Sequence, residues 1–335
     1  MKLLAPLARL YGGIMSWRNH AYDQGKKKIY QAPIPIISVG NLSVGGTGKT
    51  PMAEYILAEL SAKGRKVAYL SRGYGRKTKG YRLVDLVHDT VQSVGDEALQ
   101  VAMKFPDIPV VVCEDRAFGI VRLLAERSVE ILVLDDAFQH RKVARTLDLV
   151  MIDAQRLPTQ DAVLPQGRLR EPIQGLRRAD MLVINRVSTQ TQIEEIKKAL
   201  SAFKQPIAFC QPQMQGVQAF GEAVVQNISQ LKGQKVVVFS GIGNHEYFVQ
   251  QIRAMGAIVL AEKGFRDHYN YRERDLRDLQ DLCPEQAILL TTEKDYCRLK
   301  GRVSGNPWHY IPIKFHWWEG QKALKKKLFA LSLLP

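Results

Sequence analysis

The segment Ser43-Val44-Gly45-Gly46-Thr47-Gly48-Lys49-Thr50 constrains this chain more than any other stretch. It follows a short isoleucine-rich apolar run, Ile34–Val39, and precedes a helical pattern through Ile56, Leu57 and Leu60. A strand that turns on glycines into a helix presents successive backbone N–H groups to phosphate oxygens, since only small residues allow so close an approach. In that geometry Lys49 reaches the β- and γ-phosphates, the Thr50 hydroxyl ligates Mg²⁺, and the helix adds its positive N-terminal end. Ser43 stands where the usual pattern has glycine, and Gly45-Gly46 supply the flexibility. The loop therefore predicts ATP and Mg²⁺ as cofactors.

The surrounding pattern agrees with an α/β fold. Val67–Leu70, Val110–Cys113, Ile131–Leu134, Leu149–Ile152 and Met181–Ile184 are short apolar runs, several separated by helix-like segments such as Asp96–Phe105. Such alternation predicts a largely parallel sheet covered by helices on both faces. A second, similar unit begins near Lys235, with strands at Val236–Phe239, Ile258–Leu260 and Ala287–Leu290 and a helix at Glu246–Met255. The expected organisation is two α/β/α Rossmann-like, P-loop-type units at 1–206 and 226–318. A small β-ribbon linker at 207–225 joins them, and a C-terminal helix at 319–335 packs back on the first. At 335 residues with 46% apolar and 24% charged content, two cores of ordinary size are affordable. Cys113, Cys210, Cys283 and Cys297 have no paired spacing, which argues against a disulfide framework or a structural zinc site.

The formal net charge of +15 attracts polyanions: nucleic acid, anionic headgroups or phosphorylated substrates. The N-terminus narrows this. Leu3, Leu7, Leu10, Ile14 and Trp17 recur at helical spacing, Lys2 and Arg9 lie opposite, and Lys26–Lys28 follow. The stretch is too short to span a bilayer, which takes about 20 residues. An amphipathic helix lying in a membrane interface and a helix packed on the protein's own core both fit the pattern. The tail Gln321–Leu334 reads as a basic amphipathic helix.

Other residues carry chemistry. Ile131–Leu134 ends in Asp135-Asp136, a strand-tip acid of the kind that holds Mg²⁺ beside a phosphate loop, or that caps a following helix. Asp96-Glu97 either complements a helix dipole or supplies a metal contact and a base for a hydroxyl nucleophile. Ser71-Arg72-Gly73-Tyr74-Gly75-Arg76 pairs anion-binding side chains with a flexible backbone, as a phosphorylated substrate needs. Asp267-His268 is a weaker signal. Gly241-Ile242-Gly243 lacks the third glycine of a dinucleotide fingerprint.

Seven segments in order resemble the tetraacyldisaccharide 4'-kinase (lipid A 4'-kinase) family. They are Gly40–Pro51, Ser71–Gly75, Val94–Glu97, Asp135–His140, Leu164–Pro172, Phe265–Tyr269 and Thr291–Asp295. Ala137 departs from the pattern, which has glycine there. The resemblance implies transfer of the ATP γ-phosphate to the 4'-hydroxyl of a tetraacylated glucosamine disaccharide 1-phosphate, giving lipid IVA. It also implies a peripheral location on the cytoplasmic face of the bacterial inner membrane, with the active site in a cleft between two α/β units. On this reading Asp96 is the base, assisted by His268 from across the cleft, and Lys49 completes the catalytic set. Thr50, Glu97, Asp135 and Asp136 are metal candidates. Ser43 to Thr50, Gln139, Arg170 and Glu171 contact nucleotide, and Ser71, Arg72 and Tyr74 meet substrate. A monomer with no nucleic-acid partner is expected. Two rivals share the loop: a nucleic-acid-stimulated ATPase, for which no aromatic stacking platform is visible, and a kinase of another small metabolite, which needs no interfacial helix. A non-catalytic nucleotide switch is a third, and the extra acids Asp96-Glu97 weigh against it.

Overall fold

The computed structural model describes residues 4–331. Among them, strands β1 (Ile36–Asn41), β2 (Val67–Ser71), β3 (Arg82–Leu83), β4 (Val110–Val112), β5 (Ile131–Asp135), β6 (Leu147–Asp153), β7 (Met181–Asn185) and β8 (Ile207–Met214) belong to one sheet. Strands β9 (Gly216–Phe220), β10 (Val225–Asn227), β11 (Lys235–Ser240), β12 (Ile258–Gly264), β13 (Ile288–Thr292) and β14 (Gly305–Ile311) form a second. The last strand, β15 (Ile313–Glu319), returns to the first sheet, giving the order β15-β8-β7-β6-β1-β5-β2-β4-β3. From β8 through β4 every neighbouring pair is parallel, and the two edges are antiparallel. Strand β1 lies between β5 and β6, so the loop that leaves it emerges at the sheet's centre, where parallel α/β sheets bind ligands.

Helices cover both faces. Helix α1 spans Ala5–Asp23, α2 Lys49–Ser61, α3 Val91–Val94, α4 Asp96–Lys104, α5 Arg116–Glu126 and α6 Gln190–Ala199. The second unit carries α7 (His245–Ala254), α8 (Glu273–Asp281) and α9 (Glu293–Arg298). Helix α10 (Gln321–Leu331) buries Leu324, Leu328 and Leu331 in the first unit's core, beside Leu57 and Leu60 of α2. The part of the expected tail helix beyond 331 lies outside the described residues.

Two boundaries differ from the sequence expectation. Ile207–Met214, placed there in a linker, pairs parallel with β7 and belongs to the first sheet. Residues up to 318 were assigned to the second unit, yet Ile313–Glu319 pairs antiparallel with β8, Ile313 opposite Met214. The physical reason is tertiary: β8 docks on β7, and β15 finds β8 about 100 residues away, pairings of which the local pattern carries no sign. The chain thus crosses between units at Gln215 and at Pro312, which are themselves joined by a backbone hydrogen bond of 3.0 Å.

Helix α1 has two unlike faces. Ala8, Gly12, Ala21 and Tyr22 are buried against the first unit. Leu4, Leu7, Leu10, Ile14 and Trp17 stay exposed, Trp17 at 69%. Leu3 of the expected stripe, and Lys2 opposite it, lie outside the described residues. The packed side is also hydrogen-bonded: Tyr11 Oη donates to Arg170 O at 3.0 Å and Arg18 Nη2 to Gln139 O at 2.8 Å. Among the described residues no helix is long and apolar enough to cross a membrane.

Candidate active site

The loop after β1 is held open from outside. Asn41 Nδ2 donates to Thr47 Oγ1 at 3.1 Å, and Asn185 Nδ2, at the tip of β7, donates to Thr47 O at 3.0 Å. Ser43 forms a bridge with Leu169, and Val44 N donates to Arg168 O at 2.9 Å. Gly45 and Gly46 are exposed, with open space where a side chain would stand. Gly48 sits at φ +92°, and a Cβ there would lie 2.4 Å from Asn185 Nδ2, so only glycine fits. Helix α2 then begins with Lys49, its first turn tolerating Pro51 because N–H groups there have no helical partner.

The acids at the tip of β5 are sorted by their neighbours. Asp135 is fully buried; its Oδ2 accepts from Thr50 Oγ1 at 3.0 Å and from Tyr69 Oη at 2.8 Å. Burial pushes its carboxyl up, against the pull of Lys49 and the Tyr69 hydrogen bond. Asp136 lies 3.7 Å from Lys49 Nζ and accepts from Arg170 Nη1 at 2.7 Å. Burial raises it too, but Lys49 and Arg170 prevail and hold it low. Asp136, at φ +49°, takes the left-handed backbone of this turn. Ala137 is not among the positive-φ residues, which explains why alanine is accommodated where the family has glycine.

Gln139 and Glu171 are drawn together behind the loop. Gln139 Nε2 donates to Asn41 O at 2.9 Å and to Glu171 Oε1 at 3.0 Å. Glu171 is fully buried and also accepts from Arg178 Nη2 and Asn19 Nδ2. Its carboxylate is therefore committed to holding Gln139, Arg178 and α1. Among the nucleotide candidates, Arg170 faces Asp136 while Glu171 braces the wall behind.

Asp96 is the first residue of α4 and only 3% exposed. The preceding Gly95, at φ +85°, could not carry a Cβ, which would sit 2.8 Å from Tyr74 O. That close approach seats the loop of Ser71, Arg72 and Tyr74 directly against the start of α4. Across the cleft, His268 Nδ1 lies 2.8 Å from Asp96 Oδ2, and the His268 ring meets the Tyr74 ring edge-on at 5.6 Å. His268 adopts φ +58°. Burial alone would raise the Asp96 carboxyl, but the His268 hydrogen bond and the Lys294 and Arg298 charges hold it far below the usual carboxylate range. For neighbouring Glu97 the balance is reversed: burial, then Asp135 and Asp96, outweigh Lys294 and Lys49 and push it up to about 7. Ser71 is buried and its Oγ accepts from Gly73 N at 3.3 Å, so it shapes the loop, whereas Arg72 and Tyr74 are exposed to a cleft.

Sequence reasoning missed Asn185, Tyr69, Lys294 and Arg298. Arg298 Nη2 reaches Asp96 Oδ2 at 2.6 Å, and Lys294 Nζ lies 3.6 Å from the same oxygen and 3.2 Å from His268 Nε2. Lys294 lay within a matched segment, Thr291–Asp295, without an assigned role. Arg298 is separated from Asp96 by 202 residues, and no local pattern announces such a pair.

The chain is similar to known proteins. The family model described as tetraacyldisaccharide-1-P 4'-kinase (LpxK) matches residues 1–332. The chain belongs to this family. Curated LpxK-family relatives named tetraacyldisaccharide 4'-kinase include one from Chlorobaculum parvum, 36% identical over 98% of this chain and 94% of its own length. Another, from Flavobacterium psychrophilum, is 36% identical over 98% of this chain and 95% of its own. Among solved structures, the "apo" form of LpxK from Aquifex aeolicus in complex with ATP aligns with TM-score 0.81 and 33% identity over 98% of both chains.

Proposed function

We propose that this chain is an ATP- and Mg²⁺-dependent kinase that phosphorylates the 4'-hydroxyl of a tetraacylated disaccharide 1-phosphate. It works as a peripheral protein on the cytoplasmic face of the inner membrane. The observation that carries the reading is the Asp96–His268 contact of 2.8 Å, which spans the two units beside the phosphate loop. The relatives' names and the ATP-bound structural neighbour supply the donor and the acceptor class.

A sugar hydroxyl is a poor nucleophile, so most of the work is positioning and charge neutralisation. The open N–H groups at Gly45 and Gly46 and the Lys49 ammonium take the phosphate oxygens. The acceptor oxygen forms a bond to the γ-phosphorus as the bond to the β–γ bridging oxygen breaks, and ADP leaves with that electron pair. The hydroxyl proton passes to the Asp96–His268 pair. A strongly acidic carboxylate suits a proton that moves late, when the hydroxyl itself has become acidic. Tyr74, with Arg72 beside it, lines the side on which a phosphorylated sugar would lie.

The residues present fit Mg²⁺. Glu97 feels the charges of both Asp135 and Asp96, and the upward push on Glu97 and Asp135 is what a dication would relieve. Among the described residues no three His, Cys, Asp or Glu side chains converge as a closed cage. Mg²⁺ in kinase sites takes only one or two carboxylates, waters and substrate phosphates. Thr50, Asp135 and Glu97 would hold the ion, with Asp136 tied instead to Lys49 and Arg170. When bound, the ion neutralises charge on the β- and γ-phosphoryl oxygens.

The deciding experiment incubates the protein and labelled ATP with a lipid A disaccharide 1-phosphate in mixed micelles. A bisphosphorylated lipid is expected. Asp96→Ala and His268→Ala should each lower kcat by about 10²–10⁴ while leaving ATP affinity near wild type. No labelled lipid from the wild type overturns the assignment. The exposed Leu7, Leu10, Ile14 and Trp17 face would sit in the bilayer surface and meet the acyl chains. Serine substitutions there should release the protein from membranes on fractionation; unchanged association would refute that role. Deleting α1 outright is a poorer test, because it also removes the Tyr11 and Arg18 hydrogen bonds to the site.

A further inference from the structure

Helices α4 and α9 run antiparallel against each other across the cleft, and both ends of the pair are fixed by charge. At one end Arg298, 3% exposed at the side chain, places Nη2 and Nε at 2.6 and 3.2 Å from Asp96 Oδ2. The same guanidinium donates to Asp295 Oδ1 at 2.8 Å and Gly241 O at 2.6 Å, which locks it to the second unit. At the other end Lys104 Nζ lies 2.9 Å from Glu293 Oε1, the first residue of α9. Lys104 also donates to Glu54 Oε2 at 2.7 Å, and Gln100 donates to Glu54 Oε1 at 2.7 Å. Asp96, Gln100 and Lys104 recur at four-residue intervals, so they form one polar stripe along the α4 face that meets α2 and α9.

We infer that Lys104 and Arg298 are positioning residues for phosphoryl transfer: together they clamp α9 onto α4 so that His268 and Lys294 arrive at Asp96. Lys104 ties together three helices that hold the reacting parts. Helix α2 starts with Lys49 and Thr50, α4 starts with Asp96, and α9 supplies Lys294 and Arg298. Glu54 stands one turn beyond Thr50, so the clamp is anchored on the helix that carries the phosphate loop. A carboxylate–imidazole pair assembled from two units needs such a device. An error of 1 Å in their approach can cost about 10² in rate. The inference rests on the kinase reading above, since kcat for lipid phosphorylation is its readout.

The test compares wild type with Lys104→Met, Glu293→Gln and their double variant, and Arg298→Lys with Arg298→Met. Each protein is first checked by thermal unfolding and by titration with a fluorescent ATP analogue. Lys104→Met and Glu293→Gln are expected to lower kcat about tenfold with KM for ATP within about twofold, the double variant being no worse than the poorer single. Arg298→Lys should recover part of the activity that Arg298→Met loses, since one ammonium replaces part of the fork. Amide exchange should rise in 265–271 and α9 in both single variants. Folded Lys104→Met and Glu293→Gln proteins with wild-type kcat, or with strictly additive losses, would overturn the clamp. If Lys104→Met does not fold, Glu293→Gln decides alone, because its partly open carboxylate can be neutralised without leaving a buried cation stranded among acids: Lys104 keeps Glu54. A wild type with no lipid product would instead sink the kinase reading, so the two failures are distinguishable.

Discussion

The two units each send a strand into a glycine-containing turn and then a helix, yet only one of these turns is built to receive phosphate. After β1 the exposed glycines leave their N–H groups free, and the bracing comes from behind, through Asn41 and Asn185. After β11 the first glycine is already taken up. Gly241 N donates to both carboxylate oxygens of Asp295 at 3.2 and 3.1 Å, and Gly241 O accepts from Arg298. Ser240 Oγ lies 2.8 Å from His245 Nδ1, and Gly241 O also accepts from His268 N at 3.2 Å. The second turn is a scaffold for the arm that carries His268. What separates cradle from scaffold is a buried acid, Asp295, the third residue of α9, whose carboxylate takes the first glycine's N–H.

Breaking each turn should therefore give opposite phenotypes. The largest effect is expected for Lys49→Ala, a loss of kcat on the order of 10³, comparable to removing one oxyanion donor, read by steady-state phosphorylation. Asp295→Asn removes one of the two acids that pair with the buried Arg298, leaving Asp96, and should cost about 3 kcal/mol of stability, measured by denaturant unfolding. It should leave ATP binding by the folded fraction intact. Gly241→Ala places a Cβ 3.1 Å from Tyr269 Cβ and 3.2 Å from Arg266 O, displacing the arm. A fall in kcat of about tenfold with unchanged ATP affinity is expected; lost ATP binding would show that the second turn also contacts nucleotide.

The smallest effect concerns pH. Burial, then Glu293, push Glu54 up to about 7 against the charge of Lys104 and the Lys104 and Gln100 hydrogen bonds. Its folded pKa lies above the ordinary value of 4.5, so folding favours the protonated form. That contribution is complete below 4.5 and is lost as pH rises through about 7. Glu54→Gln should flatten the stability profile between those limits. An unchanged slope in thermal unfolding across that window would show that Glu54 is ionised throughout.

How much of this was legible in the sequence follows from the range of the interactions involved. The cradle reads directly, because Gly45, Gly46, Gly48, Lys49 and Thr50 act through local backbone, and the buried parallel strands read as unbroken apolar runs. Asp96, Glu97 and His268 could be named, but without the family resemblance Asp96-Glu97 reads slightly better as a helix-dipole pair. The bonds of Glu171 to Arg178, Asn19 and Gln139 were not legible, because they are set by partners up to 152 residues away. Arg298 and Lys104 read as ordinary helix-face cations. Their weight appears only when α9 and α4 meet.

The paired crossings at Gln215 and Pro312 have a consequence for engineering. Because Met214 and Ile313 already face each other as strand partners, residues 215–312 form a cassette spliced into the first unit. Replacing that cassette with a two-residue hairpin turn should give a shortened chain whose sheet order is otherwise complete. Such a chain would keep Lys49, Thr50, Asp135 and Arg170 and lose His268, Lys294 and Arg298 in one excision. It is expected to titrate with ATP by calorimetry and to transfer nothing, and measurable lipid phosphorylation by it would show that the cassette is dispensable for the chemistry.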